Sequence, residues 1–449
     1  MLWEWIELHV ASIAGFVLAA FFVIVIIRER RPPASAMAWL LAVAIAPWLG
    51  VPLYLALGGR KIRKRTAQKP GLSFASGEIV PTDPLARILA GAGAGPPTAG
   101  NALRWHATGE DAYARLIAAI DGAQHTIRIA TFVLGTDEVG REIVARLSAR
   151  AKAGVEVTLL VDGLLARRAR RLLASLREAG GRTAVFLPLI KLPLRGRSNL
   201  RNHRKIVIAD GALAILGGRN LAGEYLGPTP RADRWRDLSF ELAGPAVVRV
   251  DEVFRADWRY ATGVELAPIT APAACGDEQV NVVPSGPDVR GDPVYEALLH
   301  VCFTASKRLW IATPYFAPDQ ALERGLELAA RRGVDVRLLV PSRSNHALAD
   351  LVTRGFLASL GRRGVSVMRY ARGMMHAKLV LADDVVIAGS ANLDMRSLFL
   401  DFELCVVTRD GDSALAIERF YRELSSETDT SVAPRRWRDD VGRLLAPLV

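Results

Sequence analysis

Two long apolar runs occupy the start of the chain, before any alternation of polar and apolar residues begins. Val10–Ile27 holds 18 residues without a charge, and Ala34–Gly59 holds another 26. Runs of this length suit helices that cross a bilayer. The first residues, MLWEWIELH, carry two acids, whereas a cleaved signal peptide would begin with basic residues. We therefore predict two retained membrane helices, of which the second could be kinked or re-entrant at Pro47 and Pro52.

After residue 100 the apolar positions fall into short segments, and the same series of segments occurs twice. Runs rich in β-branched residues predict buried strands, and apolar residues at every third or fourth position predict helices. Each copy is predicted to run helix, strand, helix, strand, helix and hairpin. This gives an α/β fold of two pseudo-equivalent halves with mixed sheets flanked by helices. The matched segments are IRIATFVLG and LWIATPYFA, GVEVTLLVDG and GVDVRLLVPS, NHRKIVIADGALAILGGRN and MHAKLVLADDVVIAGSAN, and SFEL and DFEL.

Four segments follow from this pattern. Gly71–Gly100 is rich in glycine, proline and alanine, so it predicts a linker, and folded structure is expected from Asn101 onward. The prolines and glycines of Leu266–Pro293 predict the seam between the two halves. The predicted organisation is a membrane region at 1–60, a basic flank and linker at 61–100, a first half at 101–270 and a second half at 271–449.

A histidine and a lysine two residues apart occur at the same place in both copies. His203 and Lys205 share one side of a predicted strand, and so do His376 and Lys378, because residues i and i+2 of a strand face the same way. Only eight of the 58 basic residues are lysines, so a lysine retained in both copies is informative. One match to this spacing is weak evidence of a site, whereas two matches in corresponding places are strong evidence.

Each of these strands is predicted to turn and fold back as a hairpin. The returning strand brings small and amide residues beside the histidine and the lysine, a combination suited to seating a phosphate. The two copies differ by one residue between the aspartate of the turn and the asparagine of the returning strand, so one hairpin is expected to have a longer turn or a bulge. The candidate phosphate-binding residues are Gly218, Asn220, Ser390 and Asn392.

Two histidines suit phosphoryl transfer, because a neutral imidazole can attack phosphorus while a protonated one donates to the leaving oxygen. The two lysines would stabilise the charge that develops in the transition state. Glu241 and Glu403 occupy matching places and are candidates for orienting the histidine rings. Asp210 and Asp383 lie in the turns, where aspartate is also common for backbone reasons. The candidate catalytic residues are His203, Lys205, Asp210, His376, Lys378 and Asp383.

Composition limits the partners and cofactors. The net charge of +12 favours an anionic partner, and the apolar runs favour an anionic membrane over nucleic acid. The three cysteines have no ligand spacing, and the sequence contains no HExxH, paired CxxC or P-loop motif, so neither a metal nor a cofactor is expected. The basic segment RKIRKR after the second apolar run predicts a cytoplasmic position for the catalytic part.

The paired HRKIVIAD and HAKLVLAD resemble the repeated signature of the phospholipase D superfamily. Further segments, among them WRDLSFELAGP, ATPYFAPD and GSANLDMRSLFLDFEL, narrow the resemblance to the bacterial cardiolipin synthases and extend it over nearly the whole chain. The resemblance implies one site between two lobes and a covalent phosphohistidine intermediate that needs no metal. It also implies that His203 is the nucleophile and His376 the acid. The sequence departs from the family pattern at Arg219 and in its shorter second hairpin.

The resemblance implies a multi-pass enzyme of the inner (plasma) membrane that transfers phosphatidyl between two phosphatidylglycerol molecules, giving cardiolipin and glycerol. A phospholipase D-type hydrolase, or a transferase with another acceptor, would use the same intermediate, so these alternatives stay open at this point. A nuclease of the superfamily fits less well because of the apolar runs. A non-catalytic membrane scaffold fits less well because both histidine–lysine pairs are intact.

Overall fold

The computed structural model divides into two compact units, of which the first contains the N-terminal helices and the second contains the repeated segments. It describes residues 2–28, 33–57, 69, 71–72, 74, 81–188, 200–429, 442–443 and 446. The basic segment at 60–65, which carries the prediction of membrane orientation, lies outside the described residues.

Three helices, not the predicted two, occupy the apolar N-terminal region. The second apolar run is interrupted at Ala46, just before Pro47, because a proline within a helix removes a hydrogen bond and clashes with the preceding turn. The resulting helices have 13 and 11 residues, whereas a bilayer crossing needs roughly 20. Counting only its described residues, no helix is both long and apolar enough to cross a membrane. The helices are α1 (Leu2–Arg28), α2 (Pro33–Ile45) and α3 (Pro47–Leu57).

Regular structure in the second unit begins before Asn101, inside the segment predicted to be a linker. A short helix capped by the Asp83 carboxylate precedes the first strand, and a connection at 92–97 that contains two glycines and two prolines joins them. The first half contains α4 (Pro84–Gly91), β1 (Thr98–His106), α5 (Gly109–Gly122), β2 (Thr126–Thr131), α6 (Glu138–Lys152), β3 (Glu156–Asp162), α7 (Arg170–Glu178), β4 (Arg182–Phe186), β5 (Ile206–Ala209), β6 (Leu213–Gly217), β7 (Ser239–Ala243) and α8 (Val247–Thr262).

The second half repeats this order, and its first strand lies inside the predicted seam. That strand pairs with residues more than 100 positions away, so local composition alone did not reveal it. The second half contains β8 (Glu278–Ser285), α9 (Pro293–Thr304), β9 (Arg308–Ala312), β10 (Phe316–Ala317), α10 (Gln320–Arg331), β11 (Asp335–Pro341), α11 (Ala347–Gly361), β12 (Ser366–Tyr370), β13 (Leu379–Ala382), β14 (Val385–Gly389), β15 (Leu393–Asp394), α12 (Met395–Phe399), β16 (Glu403–Thr408), α13 (Gly411–Ser425) and β17 (Thr428–Asp429).

A single mixed sheet of 15 strands runs through both halves, instead of separate sheets. Its order is β17-β12-β11-β9-β13-β14-β16-β8-β1-β7-β6-β5-β2-β3-β4. Apart from β17, the order reads the same outward in both directions from the antiparallel contact between β1 and β8, as a duplicated domain requires. Helices cover the sheet, and their caps repeat as well, since Asp137 caps α6 and Asp319 caps the corresponding α10.

The two hairpins differ in the way that the sequence predicted. In the first hairpin, Ala209 pairs with Leu213, which leaves a three-residue turn. In the second, Ala382 pairs with Val385, which leaves a two-residue turn. The extra residue is therefore confined to the turn, and the strands that follow the histidines keep equivalent positions.

Candidate active site

Both histidines lie just before the first strand of their hairpin, where the backbone of each half contacts the other. The His203 amide donates to the Phe402 carbonyl at 2.9 Å, and the His376 amide donates to the Arg236 carbonyl at 2.7 Å. These two contacts occupy equivalent positions in the repeat and bring the histidines of both halves into one site.

His203 is held by a glutamate of the second half. Its Nδ1 lies 2.9 Å from Glu403 Oε1 and 3.1 Å from the Ser390 carbonyl oxygen. Because a carbonyl oxygen can only accept, Nδ1 carries the proton, which leaves Nε2 with its lone pair. Burial, followed by the positive charges of Lys205 and Lys378, lowers the pKa of His203 well below its ordinary value, so the ring is neutral.

His376 is held by an aspartate of the first half. Its Nδ1 lies 2.6 Å from Asp237 Oδ2, and the rings of Tyr225 and Trp235 pack against it at centroid distances of 5.2 and 5.4 Å. Burial and the neighbouring Lys378 ammonium lower the pKa of His376 to about 3, although Asp237 acts in the opposite direction. Without a bound anion this ring is therefore neutral as well.

Asp237 is the partner that the sequence pattern missed, because the match between SFEL and DFEL is out of register. The sheet pairs Gly217 with Ser239 in the first half and Gly389 with Cys405 in the second. The residue two positions before Ser239 is Asp237, and the residue two positions before Cys405 is Glu403. The equivalent acids are therefore identified by the pairing register of the strands, and not by the similarity of the two sequence segments.

Glu241, predicted to orient a histidine of the site, does not do so. Its carboxylate accepts from Arg115 Nε at 2.7 Å and from Arg115 Nη2 at 3.1 Å, and it lies 3.8 Å from His106 Nε2. Glu403, in contrast, does contact His203, and its role there stays a proposal. Burial raises the pKa of Glu403 to about 7, against the opposing effect of the Lys205 charge.

The two lysines are buried beside the histidines. Lys205 Nζ donates to the His203 carbonyl at 2.7 Å, and Lys378 Nζ lies 3.2 Å from His376 Nε2. Burial lowers the pKa of Lys205 to about 7 and that of Lys378 to about 8. The charge of each lysine also acts on the histidine of the other half, so the four side chains share one electrostatic environment.

The candidate phosphate-binding residues differ between the halves. A Cβ on Gly218 would lie 2.2 Å from Asp237 Oδ1, so only glycine leaves room for that carboxylate. The corresponding Ser390 instead donates its hydroxyl to Glu403. The acids that contact the two histidines are thus held by different contacts.

The two asparagines are buried, and each has a contact within its own half. Asn220 Oδ1 accepts from the Val133 amide at 3.1 Å, and Asn392 Nδ2 donates to Ser397 Oγ at 3.2 Å. Asn392 Oδ1 is buried without a hydrogen-bond partner among the described residues.

Asp210 and Asp383, predicted to belong to the catalytic set, lie at the far ends of β5 and β13 from the histidines. Asp210 accepts three backbone amides, from Gln124, His125 and Thr126, at 2.7 to 2.8 Å. Asp383 accepts the equivalent amides at 306–308, and both residues have a positive φ of about 50°. Although burial opposes it, these amide donors lower the pKa of both carboxyls. They fasten the hairpin turns and do not reach the histidines.

A fully buried network of charges supports the segment that carries His203. The Asp257 and Asp288 carboxylates accept from Lys69 and from Arg204, with Arg204 at 2.7 and 3.0 Å. Asn202 Nδ2 donates to Asp257 Oδ2 at 2.9 Å. The network joins the segment before α4 with both halves, and Lys69 lies in the segment predicted to be a basic flank and linker.

Arg219, noted above as a departure from the family pattern, supports the acid of the second histidine. Its guanidinium donates to the backbone carbonyls of Asp237, His106 and Ala107.

Among the described residues no group of three or more histidine, cysteine or acidic side chains is arranged to hold a metal ion.

Two histidine–lysine pairs, each just before the first strand of a hairpin and in contact with the other half of one duplicated α/β sheet, define a phospholipase D-like protein. The sequence matches the family described as cardiolipin synthase, PLD-like domain, at 116–258 and 298–424, and the phospholipase D-nuclease N-terminal family at 17–59. It is 33% identical to cardiolipin synthase A of Pseudomonas aeruginosa, covering 98% of this chain and 94% of that protein. It is 32% identical to cardiolipin synthase 1 of Bacillus cereus, covering 89% and 84% respectively. The chain belongs to the cardiolipin synthase family, which confirms the resemblance seen in the sequence.

A solved structure supports the fold independently. The phosphatidylserine synthase of Haemophilus influenzae superposes with a TM-score of 0.61 over 81% of this chain and 96% of that protein, at 15% identity. At that identity the likeness establishes the fold alone.

Proposed function

We propose that this protein joins two phosphatidylglycerol molecules into cardiolipin and glycerol, with His203 carrying the phosphatidyl group between them. The observation that carries the proposal is the crossed support of the histidines, in which Nδ1 of each ring contacts an acid of the other half. Membership of the cardiolipin synthase family supplies the substrates.

In the first step, His203 Nε2 attacks the phosphorus of one phosphatidylglycerol. The N–P bond forms as the bond between phosphorus and the glycerol headgroup oxygen breaks, and His376 gives its proton to that oxygen. Glu403 accepts from Nδ1 and stabilises the positive charge that develops on the phosphorylated ring.

His376 needs a proton before it can act as the acid. Because its pKa is about 3 in the substrate-free site, it takes up this proton only when the phosphodiester anion arrives and favours the charged ring. The positive charges of Lys205 and Lys378 offset the negative charge of the phosphate oxygens. The residues proposed to line the phosphate position are Gly218, Asn220, Ser390 and Asn392.

In the second step, the headgroup hydroxyl of another phosphatidylglycerol attacks the phosphohistidine. Its proton passes to His376, the N–P bond breaks, and both histidines return to their starting states. Water in place of the lipid would give phosphatidic acid, so hydrolysis and transfer to another acceptor are competing outcomes of the same intermediate. Proximity to a bilayer of acceptor lipid favours transfer, because the acceptor is then at high effective concentration.

We also propose that the apolar N-terminal region attaches the enzyme to the inner membrane by more than one helix, with the catalytic part on the cytoplasmic side. The length of the uncharged runs, the basic segment at 60–65 and the match to an N-terminal family at 17–59 support this. The predicted limits of the membrane region and of the two halves are part of the same proposal, with the first half now beginning at α4.

The test is lipid conversion by the purified full chain in phosphatidylglycerol vesicles. Cardiolipin and glycerol are expected to appear in equal amounts and to disappear in His203→Ala and His376→Ala, whereas His125→Ala, which removes an exposed imidazole, retains activity. Denaturation during turnover should trap a phosphatidyl adduct on His203 in wild type. Phosphatidic acid without cardiolipin would identify a hydrolase, and unchanged turnover in either active-site variant would exclude the mechanism.

A further inference from the structure

One surface of the catalytic unit carries positive charge that the described chain does not neutralise. Arg167, Arg168, Arg170 and Arg171, which we term the arginine face, follow β3 and begin α7, and all four side chains are exposed. Within the residues that the structure describes, none of them forms an ion pair. Arg182 and Arg231, which are also exposed, do have acidic partners. Arg87 and Arg419 are exposed without an ion pair among the described residues, but each stands singly in the sequence.

An exposed leucine lies beside this charge. Leu164 is 41% exposed, and Leu165 next to it is partly exposed. A single exposed leucine is ordinary on a protein surface. Beside four unpaired arginines, however, it resembles a segment that lies in a membrane interface, with basic residues at the headgroups and an apolar side chain below them.

The same carboxylate holds this leucine and the segment of the proposed nucleophile. Asp162 ends β3 and is buried, and its Oδ1 accepts from the Leu164 amide at 2.8 Å. Its Oδ2 accepts from the Asn202 amide, also at 2.8 Å, and Asn202 directly precedes His203. The segment that leads into the arginine face is thus fixed at the end of β3 that lies on the same side of the sheet's strands as the start of β5, next to His203.

We propose that Leu164 and the arginine face dock the catalytic unit onto an anionic bilayer, with Leu164 inserted and the arginines on lipid phosphates. The docking would place His203 at the depth of the phosphodiester that it attacks. The inference rests on the proposed function only in taking a bilayer lipid as the substrate. The charge of the face is complementary to phosphatidylglycerol, and it is separate from any attachment through the N-terminal helices.

The test places an environment-sensitive fluorophore at residue 164 of the full chain. Cys275 is the exposed native cysteine, so Cys275→Ser provides the background, in which Leu164→Cys is labelled. Leu415→Cys, at a leucine of α13 that is 55% exposed, is the control. The protein is reconstituted in vesicles of phosphatidylcholine, with or without phosphatidylglycerol, and lipids carrying a quencher on the acyl chain report insertion.

The label at 164 is expected to shift to shorter wavelength and to be quenched in the vesicles that contain phosphatidylglycerol, whereas the label at 415 stays unchanged. Replacing the arginine face with glutamine should reduce the inserted population by about fivefold per arginine removed. An equal loss of charge elsewhere is the matched control and should have little effect. The control residues are Arg87, Arg331, Arg362 and Arg419, all exposed.

Equal responses of the two labels, or equal effects of the two sets of arginine substitutions, would overturn the proposal. A shift produced by a soluble RNA oligonucleotide and not by vesicles would assign the face to nucleic acid and overturn it as well. The fluorescence requires no turnover, so its outcome is independent of whether the protein makes cardiolipin.

Discussion

Replacing Lys69 with methionine removes one of two cations from a network that is fully buried. The side chains of Lys69, Arg204, Asp257 and Asp288 are all 0% exposed, and their charges sum to zero. Without Lys69, the two carboxylates share one guanidinium, which leaves a net negative charge away from water. Breaking a buried pair in this way costs about 3–5 kcal/mol. A loss of that size is a large part of the roughly 5–15 kcal/mol by which proteins are stable.

The assay is urea unfolding of the full chain in detergent, followed by tryptophan fluorescence. Lys152→Met, which removes an exposed lysine, is the matched control and should change the free energy of unfolding by less than about 0.5 kcal/mol. Combining Lys69→Met with Asp288→Asn restores neutrality, so the double variant should recover stability relative to the sum of the single variants. Contacting residues typically couple by about 0.5–3 kcal/mol. A loss below about 1 kcal/mol for Lys69→Met, or strict additivity in the double variant, would refute the reasoning.

Three further predictions concern the histidine of the second half. Asp237→Asn should lower kcat by about 10³–10⁴-fold because the His376 ring loses its orientation. Glu241→Gln should leave kcat nearly unchanged, and equal effects of the two substitutions would mean that Glu241 does act on a histidine of the site. Gly218→Ala should displace the Asp237 carboxylate and reduce turnover. Gly223→Ala should not reduce turnover, because its Cβ would lie 3.5 Å from its nearest neighbour, Asp137 Cγ. Equal activities of the two variants would contradict this geometry. NMR titration of labelled histidines should show His376 neutral from pH 7 down to pH 5, because its pKa is lowered to about 3. Since the unfolded chain protonates this ring near pH 6.5, its burial should destabilise the fold progressively as pH falls below that value, and titration near pH 6.5 in the folded protein would refute this.

Local patterns in the sequence were sufficient to predict the duplication, the hairpins and the positions of His203 and His376. Period-two spacing places each histidine beside its lysine, and a one-residue difference between the copies predicted the longer first turn. These features depend on residues close together in the chain, so a single sequence carries them.

The features that were missed depend on pairing between distant segments. Asp237 could be recognised as the equivalent of Glu403 only from the pairing register of β6 with β7. Aligning the similar sequence segments SFEL and DFEL pairs Glu241 with Glu403 instead. The same limit applies to β8, whose partners lie more than 100 residues away, and to Lys69, whose acidic partners come from both halves. Asp210 and Asp383 were placed in the catalytic set because their spacing from the histidines repeats, although a backbone role was also open. The backbone amides that each accepts support that second role.

The crossed support of the histidines means that neither half alone holds a histidine together with the acid that contacts it. A single ancestral copy would have had to associate as a twofold dimer, with each subunit lending its acid to the histidine of the other, and both histidines would then have been chemically identical. Fusion into one chain removed that constraint. Gly218 with Asp237 and Ser390 with Glu403 now differ around two rings of common origin, so one imidazole can be specialised for bond formation and the other for proton transfer.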